Sequence, residues 1–553
     1  MSPGDLVTLP PVRSIGRLLL LIVVAWATAT ALIPSTRTAS AATPLEQVAC
    51  SLPHDELVRI WRGTYPGRSG DIIVVPEEPN FLGASYPHSG PWDYLQEVPL
   101  LFYGPGHVPA VGPVRGRVTV ADIAPTQAEL LDFPFHPLDG HALRKVSGLN
   151  ASPPKVIVTL VWDAGGRNVL ARWPRDWPVL KSLIPKGVWY ENAEVGSSPS
   201  ITPATHATMG TGDFPMHTGQ VDSDFRLGDG LTRSGQLGPG LMMQPTLADL
   251  YDRANANEPL VGILGTVTWH LNMGSHGSMW GGGDKDIAIL RINTDDEGAE
   301  GTEWNLQGKN QPFYTLPPYS NDVPLVSKYT EALDREDGKL DGRWRENDIE
   351  QLGGGFDTPA RVPYQTAVIR RVFEEEAFGR DEVPDLFFVN YKIIDHVSHV
   401  WSGSSPEMSD AIRWQDEGMQ DLIDILNETV GKREWVLVLT ADHGAQLDYS
   451  ETGAFPIPPQ GLEADLNARF DDGDDAPAVL RVRTSQVYMN LDEMKDGGYT
   501  LDDVARYIND YTKEEAAQDP STVPASERND RVIAAAFPSE SIPRLPCLPE
   551  ART

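Results

Sequence analysis

Three apolar, β-branched runs constrain the fold of this chain more than any other feature: Lys155–Trp162 (KVIVTLVW), Asp385–Tyr391 (DLFFVNY) and Trp435–Thr440 (WVLVLT). A strand that is apolar at every position has no face suited to water, so each run reads as a strand covered by helices on both sides, as in parallel sheets. Helical patterns separate them. Asp410–Val430 sets Trp414, Met419, Leu422, Ile423 and Leu426 at helical spacing, a stripe that belongs to core packing. The alternation predicts an α/β fold with a central, mostly parallel sheet flanked by helices. Asp71–Val75, Val98–Tyr103 and Val261–Thr266 read as further strands, Thr246–Arg253 and Thr366–Phe378 as helices, and Val118–Leu131 as a turn into an amphipathic helix. Trp269–Gly283 reads as an irregular surface insertion, and residues 295–360 as a polar, Gly-rich, lid-like excursion. Beyond residue 445 the chain is more polar, with a strand at Gln486–Asn490 and a helix at Leu501–Tyr511, which suggests a smaller subdomain.

Each of the three runs ends in residues with metal-binding chemistry: Asp163-Ala164-Gly165-Gly166, Asp395 with His399, and Asp442-His443-Gly444. In open α/β sheets ligands gather at the carboxyl ends of strands. Taken alone, Asp163 is read equally well as a helix cap. Together the three ends supply the carboxylate and imidazole set of zinc and similar divalent ions. A fourth stretch, Ser197–Gly212 (SSPSITPATHATMGTG), turns from a loop into a helix starting near Thr202 or Pro203, where Thr serves as a cap and Pro suits the first turn. Helix N-termini favour anions such as phosphoryl groups. Read alone it is a capped helix. Beside metal ligands, the Thr202 hydroxyl becomes a candidate nucleophile.

The formal net charge of −33 excludes a role in binding nucleic-acid duplexes, which requires a basic footprint, and suits a solvated acidic surface. Asp471–Asp475 (DDGDD) reads as a solvated loop, with calcium binding as the alternative. Arg13 and Arg17 precede the apolar run Leu18–Ile33, and Ala39-Ser40-Ala41 fits a cleavage site, so residues 1–41 read as a secretory signal. An uncleaved anchor is the alternative. No later stretch resembles a membrane span, and the mature chain is expected to be secreted. Its two cysteines, Cys50 and Cys547, fit a disulfide in that compartment, with two free thiols as the alternative.

The motifs VWDAGG, SITPATHATMGTG, YKIIDHVSHVWSG and ADHG together resemble the alkaline phosphatase superfamily, specifically its type I phosphodiesterase/nucleotide pyrophosphatase branch, over most of residues 154–500. The resemblance implies an alkaline-phosphatase-like sandwich and two divalent metal ions, zinc by family expectation, although the donors alone also admit manganese or iron. It assigns one ion to Asp163, Thr202, Asp442 and His443, and the other to Asp395, His399 and one further histidine. It makes Thr202 the nucleophile and leaves His206 a structural residue. The family's third histidine follows the Asp-His-Gly motif, yet no histidine follows His443 here. The N-terminal stretches RSGDIIVV, SYPHSGPWDYLQEVPLLFYGPG and VTVADIAPTQAELL are similar to the part that normally closes the family's chain, which puts His88 in the missing place.

The expectation is therefore a circular permutation: a permuted block over residues 42–150, the main catalytic part over 151–445, and a small subdomain with the C-terminal tail over 446–553. Permutation is tolerated where the original termini lie close together, and a Cys50–Cys547 disulfide would restore the interrupted connection. The implied activity is hydrolysis of a small phosphodiester, nucleotide or pyrophosphate through a phosphothreonine. Ser223 stands near the place of the family's oxyanion-binding Asn. The Lys and Arg that clamp monoesters in relatives are missing from GTVTWHLNMGSHG, residues 265–277, where His270 and His276 are candidates to touch substrate, with surface histidines without a role as the alternative. A phosphomonoesterase and a non-catalytic binder of a phosphorylated ligand are the alternatives.

Overall fold

The computed structural model describes residues 43–553 apart from 84, 149–151, 236–239, 292–303, 307, 472, 474, 475 and 553. The signal sequence, the start of the 295–360 stretch and most of Asp471–Asp475 lie outside the described residues.

In chain order, the strands that build the two main sheets are β1 (Ile72–Pro76), β2 (Glu97–Val98), β3 (Leu100–Tyr103), β4 (Gly112–Thr119), β5 (Val156–Trp162), β6 (Val188–Glu194), β7 (Val261–Leu264), β8 (Asp286–Ile289), β9 (Tyr314–Thr315), β10 (Asp385–Tyr391), β11 (Trp435–Thr440), β12 (Val479–Val482), β13 (Gln486–Met489) and β14 (Ile533–Pro538). The helices that bear on the site are α1 (Thr202–Thr211), α2 (Leu247–Ala254), α3 (Arg361–Glu375) and α4 (Ile393–Trp401). The ten-stranded central sheet runs β9-β8-β7-β10-β5-β11-β3-β6-β2, with β4 added on β6. Its first six strands are parallel. From β3 onward the sheet is mixed: β3 lies antiparallel to β11 and β6, and β4 is parallel to β6.

The three apolar runs are neighbours at the centre, in the order β10-β5-β11, and every residue of these strands is buried. The register pairs Tyr391 with Trp162, and Val161 with Thr440, so all three strands finish at one level. Asp163, Lys392–Asp395 and Asp442-His443 therefore leave the sheet along a single edge.

The structure departs from the sequence expectations in three places. Val98–Tyr103 is two strands, because Pro99 separates Glu97–Val98 from Leu100–Tyr103 and has no N–H to give a ladder. Val118–Leu131 becomes the end of β4, a 3-10 turn and the helix Ile123–Leu130, in which Glu129 alone is exposed; the helix is buried all round and is not amphipathic. Trp269–Gly283 is a surface segment only at its end: residues 270–277 are buried, Gly281 and Gly282 are exposed, and the Asn272 side chain donates to the Pro203 carbonyl at 3.1 Å. Within residues 295–360, Trp304, Trp344 and Phe356 join the same apolar cluster as Val158 and Phe387, and most residues from 321 to 351 are exposed.

A second, antiparallel sheet runs β12-β13-β1-β14. Its central strand β1 comes from the N-terminal region, and its core joins Ile72 and Val74 to Val487, Ile508 and Ala536. Residues 42–150 thus supply strands to both sheets. Cys50 and Cys547 form a disulfide with Cα atoms 5.7 Å apart. No helix among the described residues is long and apolar enough to cross a membrane.

Candidate active site

Thr202 opens α1. The extended cap is Ile201, so Thr202 stands at the first helical position, followed by Pro203, and no side chain caps the helix start. Pro at this position costs no hydrogen bond, since the first N–H groups of a helix have no intrahelical partner. Gly212, in the left-handed region at φ 73°, ends the helix. Thr202 lines a cavity of about 410 Å³ together with His88, Ser223, Lys392, Asp395 and His399. Asp163, Asp442 and His443 lie behind these residues, each fully buried.

The acidic and histidine side chains form two groups. In one, the His88 and His399 Nε2 atoms stand 3.6 and 3.4 Å from Asp395 Oδ1. In the other, His443 Nε2 stands 3.4 Å from Asp442 Oδ2 and 3.7 Å from Asp163 Oδ1. The groups adjoin: His443 Nε2 is 4.0 Å from Asp395 Oδ1, and the His88 and His443 rings stack with centroids 3.5 Å apart.

The donor atoms fit metal ions. Asp163 Oδ1, Asp395 Oδ1, Asp442 Oδ2 and His443 Nε2 are all buried without a hydrogen-bond partner. Orphaned buried carboxylates are costly, and native proteins rarely keep several side by side without a counter-charge. The histidines are oriented for ligation. His88 Nδ1 donates to the Ser200 carbonyl at 3.0 Å, and His443 Nδ1 to the Gly444 carbonyl at 2.9 Å, which turns each Nε2 lone pair toward the carboxylates. Burial holds both imidazoles below their ordinary range and so keeps them neutral, as ligands must be.

Lys392 is the cation that the sequence reading passed over. Its ammonium lies 3.0 Å from Asp163 Oδ2 and 2.7 Å from Asp395 Oδ2, bridging the two groups. Burial works to raise the Asp163 carboxyl, but Lys392 and then His270 outweigh it and hold the group well below the carboxylate range. Asp442 moves the other way, raised by burial and by the neighbouring Asp163 charge. One ammonium among three buried carboxylates leaves the site negative, and this is an electrostatic argument for cations.

Two more residues were not anticipated as supports of Asp163. Asn390 donates to its Oδ2 at 3.0 Å, and His270 Nε2 approaches the same oxygen at 3.3 Å while its Nδ1 accepts the Thr266 N–H. Lys392 sits three residues before Asp395, where a Lys–Asp pair ordinarily reads as a solvated helix face. His206 donates from Nδ1 to the Thr202 carbonyl, and its Nε2 lies 3.1 Å from Asn390, so it braces the helix start.

His276 is not brought to the cavity. It is buried with its Nδ1 2.5 Å from Asp249 Oδ2, and Asp249 also accepts its backbone N–H. Ser223 does face the cavity, beside Asp222. The 265–277 stretch contributes only Thr266, Val267 and Trp269 to the wall, while Arg361 and Arg483 reach it from elsewhere.

The model of the type I phosphodiesterase / nucleotide pyrophosphatase family matches residues 157–547. The chain belongs to that family. It is a hydrolase acting on phosphoric ester bonds, and it shares its fold with alkaline phosphatases. Alkaline phosphatase PafA of Elizabethkingia meningoseptica is 23% identical over 410 residues, covering 66% of this chain and 74% of its own. Alkaline phosphatase PhoV of Synechococcus elongatus (strain ATCC 33912 / PCC 7942 / FACHB-805) is 34% identical over 340 residues, covering 53% of this chain and 59% of its own. The crystal structure of wild-type PafA matches with a TM-score of 0.51 at 18% identity, over 70% of this chain and 85% of that one. His88 lies outside the span that the phosphodiesterase family model matches.

Proposed function

We propose that this phosphodiesterase family member is a secreted hydrolase of small phosphodiesters or pyrophosphates, with Thr202 as nucleophile and two divalent metal ions, zinc first among them. The observation that carries the reading is the set of orphaned donor atoms on Asp163, Asp395, Asp442 and His443 directly behind Thr202. Asp163, Thr202, Asp442 and His443 would hold one ion, and His88, Asp395 and His399 the other. Bound there, the ions would supply positive charge against the phosphoryl oxygens and lower the pKa of a nearby oxygen nucleophile.

The protein's own residues do the rest. Thr202 Oγ1 attacks phosphorus, the ester oxygen leaves, and water then cleaves the phosphothreonine and restores the hydroxyl. The first turn of α1 presents N–H groups and the positive end of its dipole to the phosphoryl anion. Ser223 faces the same cavity as a substrate contact. His206 and Asn390 hold the helix start and Asp163 in fixed relation.

We also propose a circular permutation. Support comes from His88, which completes a ligand group from outside the matched span, and from β1 and β3, which join sheets built largely of later strands. The disulfide between Cys50 and Cys547 ties the two ends together, and together with the signal-like N-terminus it supports secretion.

A second reading, hydrolysis of monoesters, is favoured by Lys392, Arg361 and Arg483 on the cavity wall, since a dianionic phosphoryl group calls for more positive charge. The ratio of kcat/KM for bis-p-nitrophenyl phosphate over p-nitrophenyl phosphate decides between them. A ratio above one supports the diester reading; a ratio well below one replaces it with the monoester reading. Thr202→Ala removes turnover of both substrates, and unchanged turnover in this variant would refute the nucleophile.

A further inference from the structure

Away from the proposed active site, three aspartates converge with no cation paired to them among the described residues. Asp252 lies in the last turns of α2, and Asp286 is the first residue of β8. Asp284 stands two residues earlier and is exposed. One carboxylate oxygen from each lies within 4.8 Å of the others. Asp252 is only 3% exposed, makes no side-chain hydrogen bond, and its Oδ1 is a buried orphan. Asp286 is also buried, and one of its oxygens accepts the Ser275 hydroxyl.

The charges near by do not neutralise the group. Asp249 adds a fourth carboxylate, but its oxygens are taken by the N–H groups of Thr246 and His276 and by the His276 ring. The two cations adjacent in sequence turn elsewhere: Arg253 donates to the Gly281 carbonyl at 3.2 Å, and Lys285 to the Gln311 carbonyl at 2.7 Å. Burial, and then the Asp284 and Asp249 charges, raise Asp252 to about 7. Three carboxylates this close, one of them buried and unpartnered, would be stabilised in their charged form by a cation held among them.

We propose that Asp252, Asp284 and Asp286 form a cation site separate from the catalytic centre, and that its ion is calcium. The donors are all oxygens, which selects a hard cation over zinc, iron or copper. The exposed side at Asp284 leaves room for water ligands, and an open, irregular oxygen site suits calcium better than the strict octahedron of magnesium. The site stands at the starting end of β8. The catalytic residues follow the finishing ends of strands parallel to β8, so the two centres lie at opposite edges of the sheet. Calcium would pin α2 to the start of β8. Between these elements runs the buried 270–277 stretch, whose His270 supports Asp163.

The test uses the full, zinc-saturated chain, equilibrium dialysis against radiolabelled calcium at about 2 mM, above the ~0.1–1 mM range of weak extracellular sites, and thermal unfolding with and without calcium. Wild type should bind one calcium per chain and unfold at higher temperature in its presence. Asp284→Asn, altered at an exposed position and so expected to fold, should lose both effects. Asp163→Asn should keep the calcium. Wild type binding no calcium, Asp284→Asn binding it as wild type does, or Asp163→Asn losing it would each overturn the proposal.

Discussion

Replacing His88 by alanine tests both the proposed ligand set and the proposed permutation. The residue is 8% exposed, its ring stacks on His443 at 3.5 Å, and Nε2 stands 3.6 Å from Asp395 Oδ1. Its removal leaves Asp395 and His399 as the only protein donors of that group. Loss of a residue that merely orients a ligand costs 10–100-fold in metal affinity, so loss of a direct donor is expected to cost at least ~100-fold, or ~2.7 kcal/mol. With free zinc buffered tenfold above the wild-type dissociation constant, the variant's site should be less than about one-tenth filled. Elemental analysis after dialysis should then give close to one zinc per chain where wild type holds two. Turnover of bis-p-nitrophenyl phosphate should fall in parallel and recover partly as zinc is raised. His54→Ala, at an exposed residue paired with Glu550, is the control and should match wild type in both measurements. If His88→Ala keeps two zinc ions and full turnover in the same buffer, His88 is not a ligand and the permutation loses its chemical support.

Three further outcomes follow from the packing and electrostatics. In Gly210→Ala the new Cβ would stand 2.7 Å from the Met273 carbonyl oxygen and 2.9 Å from that of Asn272; α1 must shift, at ~1–3 kcal/mol, so both Tm and turnover should fall, and a variant unchanged in both would refute this account of the helix seat. Burial, and then the Glu78 charge, raise Glu56 from 4.5 to about 7. The folded chain then holds this proton more tightly than the unfolded one, and stability tied to Glu56 is present below pH 4.5 and lost as pH rises through about 7. Glu56→Gln should therefore raise Tm at pH 8 and leave it unchanged at pH 4, and equal Tm values at pH 8 would contradict the shift. The Cys50–Cys547 disulfide spans 497 residues, and in the chain-entropy model a loop of that size contributes ~6 kcal/mol. Replacing both cysteines by serine should lower the unfolding temperature under non-reducing conditions, and an unchanged transition would show that the closure contributes nothing.

The sequence by itself determined the parts of this protein whose signal is local. An unbroken apolar run such as WVLVLT reports its own burial on both faces, whichever strands lie beside it, and the Asp-His pair that follows reports its own chemistry. Hence β5, β10 and β11, Asp163, Asp395, His399, Asp442, His443 and the helix beginning at Thr202 were legible before any coordinates, as was the α/β class. Pairing order, and what covers an irregular stretch, were decided by tertiary structure alone. Nothing within DIIVV states that β1 lies between β13 and β14, because that choice rests on partners more than 400 residues away. Trp269–Gly283 carries no periodicity, so its burial under α1 and its delivery of His270 to Asp163 follow only from close packing at Gly210 and Asn272. Lys392 and Asn390 are ordinary polar residues at a strand end. They acquire a role because the register of β10 on β5 sets them against Asp163, and a charge's effect depends on what is within a few ångströms of it in space.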